Sequence, residues 1–295
     1  MRKYAAIGVV ATLALGLTAC GSSSKTAGNT TTTKPACSTT SDAYSHTVGK
    51  ASDFKPVVAD TLSVVTSLPG PGFWEGSDTD PTKLTSGYEY DIAKELQKQF
   101  GLSKLSVRNI GFDAIVAGSV TKYDLALSQI SIRCDRAKVA TFSMPYFESQ
   151  QGVLTRTADS ITTLAQAKKA KWGVETVTTA IDLLKKIGVD NPHSYQSLAD
   201  AYTALDAGQI DAVLIDTAIN LGEAARSKGK FHVTSQFDQT TGPDEYGAFL
   251  PKGSANIGAV NAAFKDMKDS GKFSSLTAKD LTADPGTLPV IKIPS

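Results

Sequence analysis

The stretch YDLALSQISIRCDR, Tyr123–Arg136, carries two signals in succession. Leu125, Leu127 and Ile130 begin an apolar–polar alternation, the period of a strand with one face buried. The alternation then gives way to Ser128, Gln129 and Ser131, and the stretch ends in the guanidinium groups of Arg133 and Arg136. A strand whose carboxyl end brings hydroxyls and a fixed cation to one place is suited to hold a small anion. The same residues also fit a buried strand followed by a solvated turn, with both arginines in water. The surrounding chain decides between the two.

Working outward, Thr61–Thr66 (TLSVVT) reads as a buried strand running into Leu68–Trp74, where prolines and glycines impose a loop that carries Phe73 and Trp74. Those two rings suit either the wall of a cleft or a core. Ile92, Leu96 and Phe100 recur at helical spacing before Gly101, so Tyr88–Phe100 is an amphipathic helix with a glycine stop. A strand over Leu105–Arg108 and a short helix over Phe112–Val116 follow, and strand–helix–strand alternation of this kind implies a parallel sheet. Downstream, Ser143–Phe147 reads as a turn and Gln151–Arg156 as a strand leaving it.

The pattern then starts afresh. Strands are expected at Trp172–Glu175, Ala212–Ile215 and Phe231–Thr234, and helices at Thr178–Ile187, Ser197–Ala207 and Thr217–Lys228. A further strand, Glu245–Leu250, and a helix over Ile257–Met267 come last. The fold class is therefore α/β, with two units. They are either lobes joined by two crossing segments, near Gln151 and Tyr246, or domains in plain tandem.

A chain of 295 residues accommodates two domains of about 100–200 residues each. Its net charge of +1 provides no strong field for nucleic acid or anionic lipid. Arg2 and Lys3 precede an apolar run, Ala5–Leu17, that is shorter than the roughly 20 residues a membrane helix needs, which is the pattern of an export signal. Ser, Thr, Gly and Asn dominate the next thirty or so residues, which read as a tether lacking the apolar surface to offset ordering entropy. Beyond Cys20, only Cys37 and Cys134 remain, and in an oxidising compartment a leftover pair usually bridges. His46, His193 and His232 lie far apart, without metal-ligand spacing, and no cofactor is implied.

Five segments in order resemble the amino-acid-binding solute-binding proteins (family 3) of bacterial ABC importers: Gly87–Ala93 (GYEYDIA), Lys122–Leu125 with Ser128–Arg136, Phe142–Phe147 (FSMPYF), Asp211–Asp216 (DAVLID) and Glu245–Gly247. Leu17-Thr18-Ala19-Cys20 is similar to the lipobox of bacterial lipoproteins, which implies a signal peptide over 1–19, a lipid on Cys20 and a tether over 20–55. The resemblance implies a two-lobed, type II periplasmic-binding-protein-like fold, with 56–150 and 247–295 forming lobe 1 and 151–246 lobe 2 with its hinge segments.

The resemblance also assigns a ligand set. Arg136 matches the arginine that forks the ligand α-carboxylate, Ser131 a hydroxyl beside it, and Gln129 a backbone carbonyl for the ammonium group. Thr178 and Thr179, opening a helix, match the pair that completes the carboxylate site, although Val177 replaces the usual glycine and disfavours a positive φ. Asp216 matches the carboxylate that pairs the ammonium group, and Phe73, Trp74 and Phe112 match positions flanking the ligand side chain. Ser67 stands where binders of basic amino acids often carry aspartate, which speaks against lysine, arginine or histidine. The loop Leu68–Phe73 resembles that of glutamate-binding members, and Arg133 offers a second cation, which points to an acidic or amide ligand. The expected protein is thus a monomeric, lipid-anchored receptor that passes a free amino acid to an ABC permease without chemistry. The rivals are a cyclohexadienyl-dehydratase-like enzyme using Glu175 and an amino-acid sensor.

Overall fold

The computed structural model describes residues 37–239, 242–281 and 288–293. The expected signal peptide, the lipidation expected at Cys20 and the expected tether up to residue 36 lie outside the described residues. From Cys37 the chain turns through a short helix, α1 (Thr40–Ala43), and enters the first sheet with β1 (Thr61–Thr66). Helix α2 (Tyr88–Gln99), strand β2 (Lys104–Asn109), helix α3 (Phe112–Val116), strand β3 (Leu125–Ala126) and the long strand β4 (Ala140–Ser149) follow. Both β2 and β3 pair in parallel with β1. Every residue of β1 is buried, as expected where both sheet faces are covered.

The second lobe opens with β5 (Gln151–Arg156) and continues through α4 (Leu164–Ala167), β6 (Trp172–Glu175), α5 (Thr179–Lys186), β7 (His193–Tyr195), α6 (Leu198–Asp206), β8 (Ala212–Asp216), α7 (Thr217–Arg226) and β9 (Phe231–Phe237). The chain then returns through β10 (Asp244–Pro251), followed by α8 (Ile257–Asp269), α9 (Lys272–Asp280) and β11 (Val290–Ile291). Strand order is β2-β1-β3-β10-β4 in one sheet and β11-β9-β5-β8-β6-β7 in the other. Because β10 lies between β3 and β4 in the first sheet, the chain crosses between lobes twice, after β4 and before β10. Plain tandem domains are excluded.

Four sequence expectations change. Ser143–Phe147 is not a turn but the middle of β4. Proline is tolerated there because β4 is the edge strand and Pro145 sits opposite Gly247 at a break in register. The strand beginning at Leu125 ends after Ala126, because Gln129 takes φ 49° and carries the backbone out of the ladder. Residues 37–55 are not tether. The structure joins Cys37 to Cys134 with a Cα separation of 5.6 Å, Tyr44 bridges to Phe142 on the outer edge of β4, and Ala43 is buried. Finally, the C-terminal segment does not stay with lobe 1, because β11 pairs with β9 and Ile291 joins the second lobe's core.

Asn261 of α8 holds the entering segment in place. Its amide donates to the carbonyls of Ser45 (2.7 Å) and Thr47 (2.9 Å), and its oxygen accepts from the Met144 N–H (2.9 Å). Asn261 itself is fully buried, while Ser45 and Met144 are half-buried and Thr47 is exposed. Asn261→Ala is expected to destabilise the protein by about 1–3 kcal/mol in chemical denaturation, since it removes three hydrogen bonds made by a fully buried side chain.

Candidate functional site

A cleft cavity lies between the lobes, about 400 Å³ including its open mouth. Lobe 1 contributes Ser67, Pro69, Phe112, Ser128, Gln129, Ser131 and Arg136, and lobe 2 Glu175, Thr178, Thr179, Leu198, Ile215, Asp216 and Ile219. Of the nine ligand-binding residues expected from sequence, seven are brought to this one cavity. Phe73 and Trp74 are not. Both are fully buried, Phe73 edge-on against Tyr88 and Phe147, and Trp74 donating its indole N–H to Glu89 at 2.7 Å. Their loop turns inward because its glycines and prolines fold it onto α2, so these rings belong to the core.

Arg136 is the positive wall. It follows Asp135, whose carboxylate accepts the Arg136 N–H at 2.9 Å and fixes the turn. Its guanidinium donates to the Ser131 carbonyl at 2.9 Å within lobe 1 and to the Val177 carbonyl at 2.9 Å across the cleft. It also lies 5.4 Å from the centre of the Phe112 ring, a cation–π distance. Burial lowers its pKa to about 10, with the neighbouring Arg133 charge adding, so the group remains charged at neutral pH.

Opposite stands Asp216 at the carboxyl end of β8, 4 % exposed, with Oδ1 lacking any hydrogen-bond partner among the described residues. Burial and the nearby charge of Asp244 push its carboxyl up to about 8. Asp244 accepts from Gln151 Nε2 (2.9 Å) and Thr179 Oγ1 (3.2 Å), so the hinge strands and α5 share one polar network. Thr178 precedes α5 but makes no side-chain cap. Its hydroxyl donates to the Glu175 carbonyl at 2.7 Å, leaving the first-turn N–H groups of α5 for another acceptor.

Val177 is an informative departure. Instead of diverting the loop, it adopts φ 57° itself and thereby aims its carbonyl at Arg136. A β-branched residue in this region is strained by about 1–2 kcal/mol. Arg133 is likewise not a cavity cation. It is held by Asp135 (3.0 Å) and by Asp182 of lobe 2 (2.6 Å), and does not line the space. A second pair, Arg226–Asp78 at 2.5 Å, also joins the lobes, and Gly222 of α7 lets them approach closely: a Cβ there would fall 2.7 Å from the Pro71 carbonyl carbon.

Sequence reasoning gave Glu89 no role, yet it organises the lobe 1 wall. Fully buried, it accepts the Gln129 N–H at 2.8 Å, the Gln129 and Trp74 side-chain N–H groups, and the Tyr146 hydroxyl. A signal existed: Glu89, Ile92 and Leu96 share one helical stripe, and a carboxylate on a buried stripe needs partners.

Two mixed sheets joined by paired crossing strands, with a cleft cavity at the carboxyl ends of β6 and β8, define a two-lobed fold of the periplasmic-binding-protein type. Residues 75–282 match the model of bacterial extracellular solute-binding proteins, family 3, and the chain belongs to that family. Among similar proteins, the ABC transporter glutamine-binding protein GlnH of Bacillus subtilis is 28 % identical over 78 % of this chain and 81 % of its own. The L-cystine-binding protein TcyJ of Escherichia coli is 30 % identical, covering 70 % and 77 %. Solved structures include an amino acid ABC transporter substrate-binding protein of Streptococcus pneumoniae bound to L-arginine, with a TM-score of 0.66, 26 % identity and coverage of 76 % and 96 %. Another is AncCDT-1, an ancestral amino-acid-binding protein and precursor of cyclohexadienyl dehydratase, at a TM-score of 0.63, 25 % identity and the same coverage.

Glycine at position 177 would adopt the left-handed backbone without strain. Val177→Gly should therefore stabilise the ligand-free protein by up to about 1 kcal/mol, the strain relieved less the entropy cost of a glycine, seen as a small rise in melting temperature, while the carbonyl contact to Arg136 is kept.

Proposed function

We propose that this protein captures a free amino acid outside the cell and delivers it to an ABC permease, acting as a monomer held at the membrane by a lipid on Cys20. The observation that carries the reading is the pairing of opposites across one cavity. The buried Arg136 guanidinium offers a planar fork for a carboxylate, and the unpartnered Oδ1 of Asp216 offers an acceptor for an ammonium group. Arg136 comes from one lobe and Asp216 from the other, so a zwitterion binds the closed state in preference to the open one, as closure on a ligand requires. Gln129, Ser131, Thr178 and Thr179 would complete the grip on the ligand's α-carbon groups, and Phe112 would flank its side chain.

Relatives named for glutamine, cystine and arginine support the amino-acid class and leave the side chain to the rest of the cavity wall. The acidic ligand expected from sequence loses its support once Arg133 is held by Asp135 and Asp182.

A second reading, an enzyme on the same fold, draws on Glu175, which lines the cavity and is pushed up to about 8 chiefly by burial, as a proton donor would be. Incubation with prephenate or arogenate tests it; no aromatic product is expected. An uptake assay separates transport from sensing.

Arg136→Ala should abolish measurable binding in titration calorimetry, a loss of about 3–5 kcal/mol, because a buried carboxylate is left without its partner. Retained wild-type affinity in that variant would contradict the assignment. Affinity should also rise with pH between about 6 and 7.5. Below about 8 the Asp216 carboxyl holds a proton that the ligand ammonium must displace, so binding weakens by up to tenfold for each unit of acidification. A pH-independent Kd over that range would contradict the role of Asp216.

A further inference from the structure

The wall beyond the two zwitterion anchors has its own chemistry. Asp216 ends β8 beside the hinge strand β5, and Glu175 ends β6, the next strand outward, about 5 Å further from the hinge. Glu175 lines the same cavity as Arg136 and Asp216, so it is available to the side chain of a ligand fixed by its α-carbon groups at those two residues. Leu198, Ile219 and the Phe112 ring also line this cavity, and apolar walls of this kind suit a run of methylenes.

Apart from Arg136, the charges lining the cavity are all of one sign. Arg136 is the sole cation lining the cavity among the described residues, and it belongs to the carboxylate anchor. Glu175 is only 6 % exposed. The Leu198 N–H at the start of α6 faces its carboxyl, Asp113 of lobe 1 acts on it electrostatically, and the buried Tyr202 phenol is a further neighbour. Asp113 is on the first turn of α3, adjacent to Phe112. A buried carboxyl of lobe 2 thus feels the charge of a lobe 1 carboxylate, and no cation other than Arg136 lines the cavity among the described residues, an arrangement that a positive ligand group relieves and a negative one worsens.

We propose that Glu175, assisted by Asp113, is the specificity determinant of this cleft and selects an amino acid whose side chain ends in a guanidinium or ammonium group. The inference rests on the amino-acid reading above and gives that ligand its side-chain class. Lobe 1 lacks the aspartate usual at position 67, and the acid comes instead from the opposite wall. A carboxylate or amide side chain would lie against Glu175 without a charge partner.

Titration calorimetry of the disulfide-intact protein with L-arginine, L-lysine, L-glutamine and L-glutamate tests this. Wild type should bind arginine or lysine at least 100-fold tighter than glutamate and at least tenfold tighter than glutamine. Glu175→Gln should weaken the basic ligand tenfold or more, and Asp113→Asn, at an exposed site, by a smaller factor. Ligand-free Glu175→Gln should melt no lower than wild type, because it removes a buried ionisable group without changing shape. Tighter binding of glutamine or glutamate by wild type, or an unchanged ligand preference in both variants, would overturn the inference while leaving amino-acid capture intact. Failure of wild type to bind any of the twenty common amino acids would overturn both.

Discussion

A single buried carboxylate, Glu89, holds the lobe 1 side of the site together. It gathers donors from three separate parts of the chain: Trp74 in the first loop, Gln129 in the loop after β3, and Tyr146 in crossing strand β4. Burial raises its pKa to about 7, and four hydrogen bonds work against that shift. The bond from the Gln129 N–H accounts for the left-handed turn there, since it gives a buried donor a partner that the strand ladder no longer provides. With that turn in place, Ser131 and Arg136 arrive at the cavity rather than continuing along the sheet. The same carboxylate ties the binding loop to β4, the strand that leads to the hinge.

The opposite wall is built by a different device. Strands β6 and β8 end side by side, and the residues at their carboxyl ends, Glu175 and Asp216, turn toward lobe 1. Both are buried carboxyls raised by desolvation, and both lie near a further acid, Asp113 for Glu175 and Asp244 for Asp216. Arg136 answers only part of this accumulated negative character. Closure also draws on ion pairs at the rim, Arg133–Asp182 and Arg226–Asp78, which are partly exposed and individually weak. The differential stability of the closed state therefore rests chiefly on what occupies the cavity.

Much of this was legible in the sequence. The buried strand TLSVVT, the amphipathic helix ended by Gly101, and the second α/β unit follow from apolar periodicity and glycine stops, which depend on neighbours a few residues away. Residues 123–136 fitted an anion site or a solvated turn equally well, and the structure buries Arg136 while leaving Arg133 at the rim. The errors have equally local causes. Pro145 looks like a turn because proline cannot donate to a ladder, a restriction that disappears at a sheet edge. Val177 seemed to forbid a left-handed turn, yet its carbonyl contact with Arg136 accompanies that strained conformation.

By itself, the sequence determined the fold class, the two α/β units, and the residue types able to hold a carboxylate and an ammonium group. Tertiary structure alone decided which side chains face the cleft. Phe73 and Trp74 sit on the same kind of glycine- and proline-rich loop that lines many binding sites, but whether such rings point into a cleft or a core depends on the packing of α2 against β1. Arg133 and Arg136 are told apart in the sequence only by motif resemblance, not by any local physical property. One meets Asp182 across the rim and the other is buried against Phe112, because their directions are set by a turn whose position depends on the chain folding back to β10. The place of Glu175 in the cavity likewise depends on β6 pairing beside β8, which no local pattern specifies. Periodicity records burial, but charge complementarity exists only between groups that distant parts of the chain bring together.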